Sequence, residues 1–273
     1  MQPITFSIII PAFNCGGFIK TAISSVLEQT YGHFEILVID GLSTDETLPN
    51  VDSFQDSRIK VFSEKDNGIY DAMNKGISLA NGEWLYFLGS DDRLYDKHVL
   101  ENMAATIQQQ APDALYGNVF SEGLGSKYDG AFDAEKILHK NISHQALFLK
   151  RSLVHALGFF DTSYKACADW EYNFRWFFKT GIKKIYTDII VAHFGYEGVS
   201  STFRDDYFLD RKTVLYLLYG RAQVKIRRRM WLLGSEIKRH LLAKRFSLTA
   251  RIFFKIPELL IVHGWKDRST KTI

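Results

Sequence analysis

Two adjacent aspartates, Asp91 and Asp92, are the residues of this 273-residue chain best suited to chemistry. They follow residues 83–90, an aromatic and aliphatic run with glycine near each end, which predicts a buried strand. In open α/β sheets, ligands bind beyond the carboxyl ends of the strands. Neighbouring carboxylates repel each other unless a cation neutralises them, and Mg²⁺ is commonly held by one or two carboxylates together with substrate phosphates. The pair therefore indicates a metal-assisted site for a phosphate-bearing substrate; a turn with helix-capping aspartates is the simpler alternative.

The elements that must position this pair alternate between strands and helices over the first 120 residues. Apolar runs predict strands at 6–10, 34–39, 59–62 and 84–88. Helical spacing predicts a helix capped by Asn14 and another over 69–80. Strands alternating with helices predict an α/β fold with a mostly parallel sheet. Later in the chain, the pattern predicts strands at 146–149 and 184–192 and a helix over 169–179.

Composition excludes several classes of protein. Two cysteines, Cys15 and Cys167, are too few for a disulfide framework or a zinc ribbon, and they favour a reducing, cytoplasmic setting. The chain enters its first strand without a cleavable apolar leader, so no secretory signal is expected. No run of 18 apolar residues occurs, so no membrane-spanning helix is predicted.

Charge is distributed unevenly along the chain. Residues 1–203 contain 17 basic and 25 acidic side chains, whereas residues 204–273 contain 17 basic and 6 acidic ones. We therefore divide the chain into a catalytic domain, 1–203, and a basic helical extension, 204–273. Tryptophan and leucine interleave with arginine in the extension, which favours binding to an anionic membrane surface. Packing of these helices on the body is the alternative, and nucleic acid is not an expected partner.

Five motifs occur in order along the chain: Ser7–Asn14, Val38–Thr47, Asp66–Gly76, Ser90–Asp92 and Ala168–Arg175. In their sequence and spacing they resemble the GT-A fold glycosyltransferases of family 2, over about residues 5–203. The third motif closely resembles a subgroup that acts in bacterial O-antigen, capsule and exopolysaccharide assembly.

The resemblance implies an inverting, metal-dependent glycosyltransferase of the hexosyl or N-acetylhexosaminyl class. The donor is expected to be a nucleotide sugar, with UDP as the nucleotide, and the cofactor Mg²⁺ or Mn²⁺. The acceptor is expected to be a hydroxyl of a lipid-linked saccharide or growing polysaccharide. Such an acceptor would place the enzyme in the cytoplasm, peripheral on the cytoplasmic face of the inner membrane.

The resemblance also assigns roles to individual residues. Those expected to contact the nucleotide sugar are Pro11, Ala12, Phe13, Asn14, Asp40, Asp66 and Asp91. Asp92 is expected to bind the metal, with His193 as a possible further ligand, and Ser200 to contact phosphate. Asp169 matches the position of the general base, and a helix N-terminus there would stabilise its ionised form. Glu171 is the alternative base, and His144–Gln145 resembles a position on the acceptor side.

Two other functions stay open at this point. A nucleotidyltransferase also combines a metal, acids and an α/β sheet, but residues 11–17 lack the basic side chain of a phosphate-binding loop. A Rossmann dehydrogenase is disfavoured because no G-x-G-x-x-G follows the first strand. A non-catalytic scaffold subunit that binds sugar nucleotides is the alternative from another class.

Overall fold

The computed structural model describes residues 2–121, 123, 125–194 and 204–260. Within these ranges the strands are β1 (Phe6–Ala12), β2 (Phe34–Asp40), β3 (Ile59–Ser63), β4 (Trp84–Phe87), β5 (Arg93–Leu94), β6 (Ala114–Ser121), β7 (Ser126–Tyr128), β8 (Leu147–Lys150) and β9 (Lys184–Phe194). The helices are α1 (Ile19–Leu27), α2 (Thr47–Asp52), α3 (Ile69–Leu79), α4 (Val99–Gln110), α5 (Lys136–His139), α6 (Arg151–Leu157), α7 (Ala168–Phe178), α8 (Asp206–Leu209), α9 (Lys212–Gly220), α10 (Ile226–Leu242) and α11 (Phe246–Leu260), with a 3₁₀ turn at His144–Ala146.

The strands form one mixed sheet in the order β3-β2-β1-β4-β8-β6-β9-β5, and β7 pairs with β6. The first four strands of this order are parallel, as their continuous apolar runs predict. Ala12 pairs with Asp40, so the loops after β1 and β2 leave the sheet side by side. The α/β class is therefore confirmed, and the second half of the sheet is more mixed than the sequence indicated.

Strand β8 changes the direction of the sheet. It runs antiparallel to β4, with Tyr86 opposite Phe148. Because antiparallel neighbours begin where their partners end, the 3₁₀ turn before β8 lies beyond the carboxyl end of β4. The strand predicted at 146–149 is observed at 147–150, one residue later. Gln145, in the turn that precedes it, hydrogen-bonds Asp92.

Alternation along the central strands divides the core into two layers. Ile9 and Leu37 face α3 and α7, in a cluster that also contains Met73 and Trp176. Ile8, and the residues at every second position from it along these strands, face α1 and α4 on the other side of the sheet. Both faces of the sheet are covered, which leaves its carboxyl edge as the place where loops converge.

The first helix begins later than predicted. The residue before α1 is Phe18, which provides no side-chain cap, and Asn14 lies outside the helix with a positive φ of 47°. The Asn14 side chain instead accepts a hydrogen bond from the Thr44 amide at 2.9 Å. The capping prediction was wrong because the Asn14 side chain hydrogen-bonds the Thr44 amide, 30 residues further along the chain.

The C-terminal helices share a core with the body. Phe208, Tyr216, Leu232 and Leu259 are buried in the cluster that contains α7, and the Tyr216 ring lies edge-on to Phe174 at 5.9 Å. The predicted boundary at 203/204 falls at the end of a gap in the described residues. None of the helices in the described ranges combines the length and apolar character that spanning a bilayer requires.

Glu35 joins three segments at the amino-terminal edge of the sheet, and we expect Glu35→Gln to destabilise the fold. Its carboxylate accepts hydrogen bonds from Ser7 Oγ and the Asn81 amide, each at 2.6 Å, and from Lys60 Nζ at 2.7 Å. Burial opposes ionisation, but these donors outweigh it and lower the pKa of Glu35 from 4.5 to about 2. The lost charge-assisted bonds should reduce the free energy of unfolding by about 1–3 kcal/mol near pH 7.

Because the folded-state pKa is lowered, this contribution is complete above the unfolded-state value of 4.5 and is lost as the pH falls towards about 2. Urea denaturation of the wild type and of Glu35→Gln should therefore differ clearly near pH 7 and less near about pH 3. Glu28→Gln, at an exposed position, is the matched control. An equal difference at both pH values would contradict the assignment.

Candidate active site

A cavity of about 460 Å³ opens at the carboxyl edge of the sheet, within the size range of small-molecule sites. Most of the residues that the sequence singled out lie on its wall. These residues are Pro11, Ala12, Phe13, Asn14, Asp66, Asp91, Asp92 and Asp169, together with His144 and Gln145. The cavity therefore joins the ends of β1 and β4 to the start of α7.

The loop after β1 is held by the loop after β2. The amide of Asn14 donates to Ser43 Oγ at 2.8 Å, and the amide of Gly16 donates to Asp45 at 2.9 Å. Leu42, which separates Gly41 from Ser43, is exposed and has a positive φ of 64°. Ser43 and Asp45 thus fix the shape of the loop that lines the cavity.

Asp66 and Phe13 meet over Gly41. A Cβ at residue 41 would lie 2.5 Å from Asp66 Oδ2 and 3.3 Å from the Phe13 ring, so glycine is required for this approach. Asp66 Oδ1 accepts the Gly68 amide at 2.9 Å, whereas the Phe13 side chain is 64% exposed. An exposed aromatic ring beside an acceptor carboxylate is suited to stack on a planar base and bind its N–H groups.

Asp40, expected to contact the nucleotide sugar, ends β2 with its side chain turned into the protein. It is fully buried, and its carboxylate accepts hydrogen bonds from the Ser43 amide and from Ser63 Oγ, the latter at 2.6 Å. It does not belong to the cavity wall. In this structure Asp40 holds the loop after β2 to the end of β3, because Ser43 and Ser63 are its donors.

Asp91 and Asp92 approach each other over Gly89. A Cβ at residue 89 would lie 2.4 Å from Asp92 Oδ2 and 2.9 Å from Asp91 Oδ1, so the glycine makes room for both carboxylates. Gln145 Nε2 donates to Asp92 Oδ2 at 2.8 Å and orients it. Two hard oxygen donors of this kind suit Mg²⁺ or Mn²⁺ when phosphate oxygens complete the coordination.

A closed protein metal cage is not found in the described part of the chain. No group of three or more His, Cys, Asp or Glu side chains there is arranged to hold an ion. His193, the possible further ligand, stacks on Tyr95 at 4.9 Å and meets the Phe120 ring edge-on, while its neighbour Phe194 lines the cavity. Strand alternation turns His193 away from the cavity. Ser200 lies outside the described residues.

Asp169 is buried at the start of α7 and is held by three donors. Its Oδ1 accepts hydrogen bonds from Tyr70 Oη at 3.0 Å and from the Trp170 amide at 2.9 Å, and its Oδ2 accepts one from Asn141 Nδ2 at 2.8 Å. Burial, reinforced by the charge of Asp169, raises the pKa of Tyr70 well above its ordinary value. Tyr70 therefore stays protonated, and the carboxylate keeps a fixed orientation.

Glu171, the alternative base, is occupied elsewhere. It is 3% exposed, lies off the cavity wall, and forms a two-point ion pair with Arg175, one oxygen at 2.9 Å from Nε and the other at 2.5 Å from Nη2. Tyr219 Oη also donates to it at 2.8 Å. These contacts make Glu171 an anion that joins α7 to α9, and they favour Asp169 over it as the candidate base.

Sequence reasoning missed two residues that touch Asp169. Tyr70 belongs to the Asp66–Gly76 motif, so its place in that pattern was an available signal. Asn141 lies in the segment 121–143, where no pattern could be read. Asn173 Nδ2 donates to Asn141 Oδ1 at 2.7 Å, and this contact aims the Asn141 amide nitrogen at Asp169.

Comparison with known proteins points to one family. A family model described as Glycosyl transferase family 2 matches residues 7–193. A PGL/p-HBAD biosynthesis glycosyltransferase of Mycobacterium tuberculosis is 40% identical over 212 residues, which cover 76% of this chain and 83% of that protein. The Escherichia coli enzyme WfgD, named a UDP-Glc:alpha-D-GlcNAc-diphosphoundecaprenol beta-1,3-glucosyltransferase, is 38% identical over 119 residues, or 43% of this chain and 47% of its own.

Solved structures show the same architecture. S. aureus TarS 1-349 in complex with UDP-GlcNAc matches with a TM-score of 0.68 at 18% identity, covering 93% of this chain and 92% of the TarS 1-349 chain. The mannosyltransferase PcManGT from Pyrobaculum calidifontis, in complex with GDP-Man and Mn2+, matches with a TM-score of 0.59 at 15% identity, covering 94% and 84%. The expected GT-A fold is confirmed.

We expect Gly89→Ala to weaken metal-dependent binding of nucleotide diphosphate. The added methyl group would displace the Asp91 and Asp92 carboxylates, and losing one charge-assisted contact costs about 1.5–3 kcal/mol, or at least about tenfold in affinity. Isothermal titration of UDP with and without Mn²⁺ measures the effect. Gly17→Ala, in open space beside the same loops, is the control and should bind as the wild type does. Wild-type affinity in Gly89→Ala would contradict the role of the glycine.

Proposed function

The chain belongs to glycosyl transferase family 2, and from this premise we propose that it moves a hexose or N-acetylhexosamine from a UDP-sugar to an acceptor hydroxyl with inversion. The observation that carries the proposal is the meeting of Asp92 and Asp169 in one cavity. A metal-binding acid and a base are the two groups that such a transfer requires. Family membership also favours this reaction over nucleotidyl transfer.

The donor end of the cavity fits a nucleotide. Phe13 offers a ring for the base and Asp66 a carboxylate for its N–H groups, and we assign Asp91, on the same cavity wall, to the ribose hydroxyls. The names of WfgD and of the TarS complex include UDP-sugars, which supports UDP as the nucleotide. Asn14 keeps this loop in place through Ser43 and Thr44.

Asp92, with Asp91 beside it, would hold Mg²⁺ or Mn²⁺ together with the diphosphate oxygens. When bound, the cation neutralises the negative charge that develops on the departing nucleoside diphosphate. Gln145 fixes the orientation of Asp92, since its amide donates to Oδ2. The Mn2+ named in the PcManGT complex supports a divalent cation in this fold.

We assign the general base to Asp169. An alcohol is a poor nucleophile until its proton is removed, and general-base catalysis contributes about 10²–10⁴-fold. Tyr70 and Asn141 hold the carboxylate at the cavity wall, where an acceptor hydroxyl would enter. A single attack by that hydroxyl, in line with the departing diphosphate, inverts the anomeric carbon through an oxocarbenium-like transition state.

The acceptor is proposed to be a lipid-linked saccharide or growing surface polysaccharide, reached at the cytoplasmic face of the inner membrane. WfgD carries a diphosphoundecaprenol acceptor in its name, which supports this class. The outer face of α10 and α11 supports it too. Exposed apolar side chains there are Ile226, Met230, Trp231, Leu241, Leu242, Phe246, Phe253 and Phe254.

The basic residues of these helices divide into two groups. Arg229 is buried and donates to the Leu259 carbonyl, and Arg239 and Arg245 pair with Asp210. Other cations of these helices are exposed and alternate along the sequence with the exposed apolar side chains; they are Lys225, Arg227, Lys238, Lys244, Arg251 and Lys255. Exposed apolar and cationic side chains interleaved on surface helices match an anionic lipid surface.

Asp92→Ala and Asp169→Asn test the transfer itself. A thermal-shift screen of UDP-glucose, UDP-GlcNAc and GDP-mannose with and without Mn²⁺ identifies the donor, because a ligand that binds the folded state raises its stability. Metal-dependent hydrolysis of that donor should then fall by about 10²-fold or more in each variant. Asp161→Asn, at an exposed position, is the control. Wild-type turnover in either variant, or none in the wild type, would refute the proposal.

Membrane binding is tested by reversing charge on the outer face. Each basic side chain near an anionic surface contributes about 1 kcal/mol, so Arg227→Glu with Lys238→Glu should weaken binding by at least about tenfold. Phe253→Ser with Phe254→Ser should weaken it as well. Sedimentation with phosphatidylglycerol-containing vesicles and with pure phosphatidylcholine vesicles measures both, and Lys97→Glu is the control. Binding that is insensitive to salt and to these changes would contradict a membrane role.

A further inference from the structure

We propose that His144 is a further catalytic residue, which accepts the proton of the acceptor hydroxyl while Asp169 orients its ring and stabilises its positive charge. The inference rests on the proposed transfer and refines the assignment of its base: Asp169 would act through His144, whose Nε2 is the atom that takes the proton. His144 and Asp169 both line the cavity, and 17% of the His144 side chain is exposed there.

The hydrogen bonds of Asp169 leave one direction open. A carboxylate offers about four lone-pair sites, two on each oxygen. Tyr70 and the Trp170 amide fill both sites on Oδ1, and Asn141 fills one on Oδ2. Asp169 Oδ2 also lies 3.5 Å from His144 Nδ1. A ring N–H of His144 turned towards Oδ2 would compete with an acceptor hydroxyl for the remaining site.

His144 is suited to accept the substrate proton in place of the Asp169 carboxylate. With its proton on Nδ1, facing Asp169, the ring presents the Nε2 lone pair on its other side. Among the residues that the structure describes, none hydrogen-bonds Nε2 in competition with a substrate. A separation of 3.5 Å is long for a hydrogen bond, and such contacts commonly shorten when substrate binds.

The backbone around His144 limits where its ring can go. The residue opens the 3₁₀ turn His144–Ala146, whose Gln145 carbonyl accepts Tyr86 Oη at 2.9 Å and whose Gln145 side chain reaches Asp92. On the other side, the Ser143 amide donates to the buried Asp129 at 3.2 Å. The turn is thus tied at both ends, and His144 is held between the metal-binding acid and Asp169.

The proposed step balances in protons and electrons. The acceptor O–H proton moves to His144 Nε2, and the oxygen lone pair forms the bond to the anomeric carbon. The bond from that carbon to the diphosphate oxygen breaks, and its electron pair leaves with the nucleoside diphosphate. Asp169 stays ionised beside the imidazolium, as in other carboxylate-oriented histidine bases, and the proton then passes to solvent.

His144→Gln separates catalysis from packing. The glutamine amide can still donate to Asp169, but it has no basic nitrogen, so kcat for donor hydrolysis should fall by about 10²–10⁴-fold. Binding of UDP with Mn²⁺ should be unchanged. In His144→Ala, added imidazole should restore turnover in a saturable manner, whereas Asp169→Asn should gain nothing from imidazole. His155→Gln, exposed on α6, is the control.

The outcomes separate this inference from the transfer on which it rests. Loss of turnover in His144→Gln with intact UDP binding, together with imidazole rescue of His144→Ala, supports the pair. Wild-type turnover in His144→Gln, with Asp169→Asn inactive, overturns the role of His144 and leaves Asp169 as the sole base. Full turnover in Asp169→Asn overturns both proposals.

Discussion

Two acids of the cavity, Asp92 and Asp169, are held in place by one short segment, residues 141–145, which lies between the carboxyl end of β4 and the start of α7. Gln145 donates to Asp92, and Asn141 donates to Asp169. The segment is there because β8 runs antiparallel to β4 and so begins beside the end of that strand. A parallel neighbour would bring its other end to this place, and the two acids would lose their common support.

Close approach at glycine is the second constraint on the cavity. Gly41 lets Asp66 and Phe13 lie over the loop after β2, and Gly89 lets two carboxylates converge. Neither site tolerates a Cβ without displacement of a carboxylate. Convergence of like charges costs stability, and this cost is consistent with a site that awaits a cation and a phosphate-bearing ligand.

The C-terminal helices combine two uses of charge. Arg239 and Arg245 pair with Asp210, and the buried Arg229 donates to the Leu259 carbonyl, so these cations hold the C-terminal helices to one another. Other cations are exposed to solvent, as are several aromatic and aliphatic side chains of the same helices. Some basic side chains of this segment therefore stabilise the packing of its helices, and others remain on the surface.

The α/β class, the aspartates at the strand ends and the family can be predicted from the sequence, because buried strands, glycines and terminal aspartates are local features. Which of these acids face the cavity depends on the tertiary structure. Asp40 is taken up by Ser43 and Ser63, and Glu171 by Arg175 and Tyr219. Gln145, which donates to Asp92, and Asn141, which donates to Asp169, lie 53 and 28 residues from them along the chain. Pairings of this kind depend on strand order and helix packing, which no local pattern records.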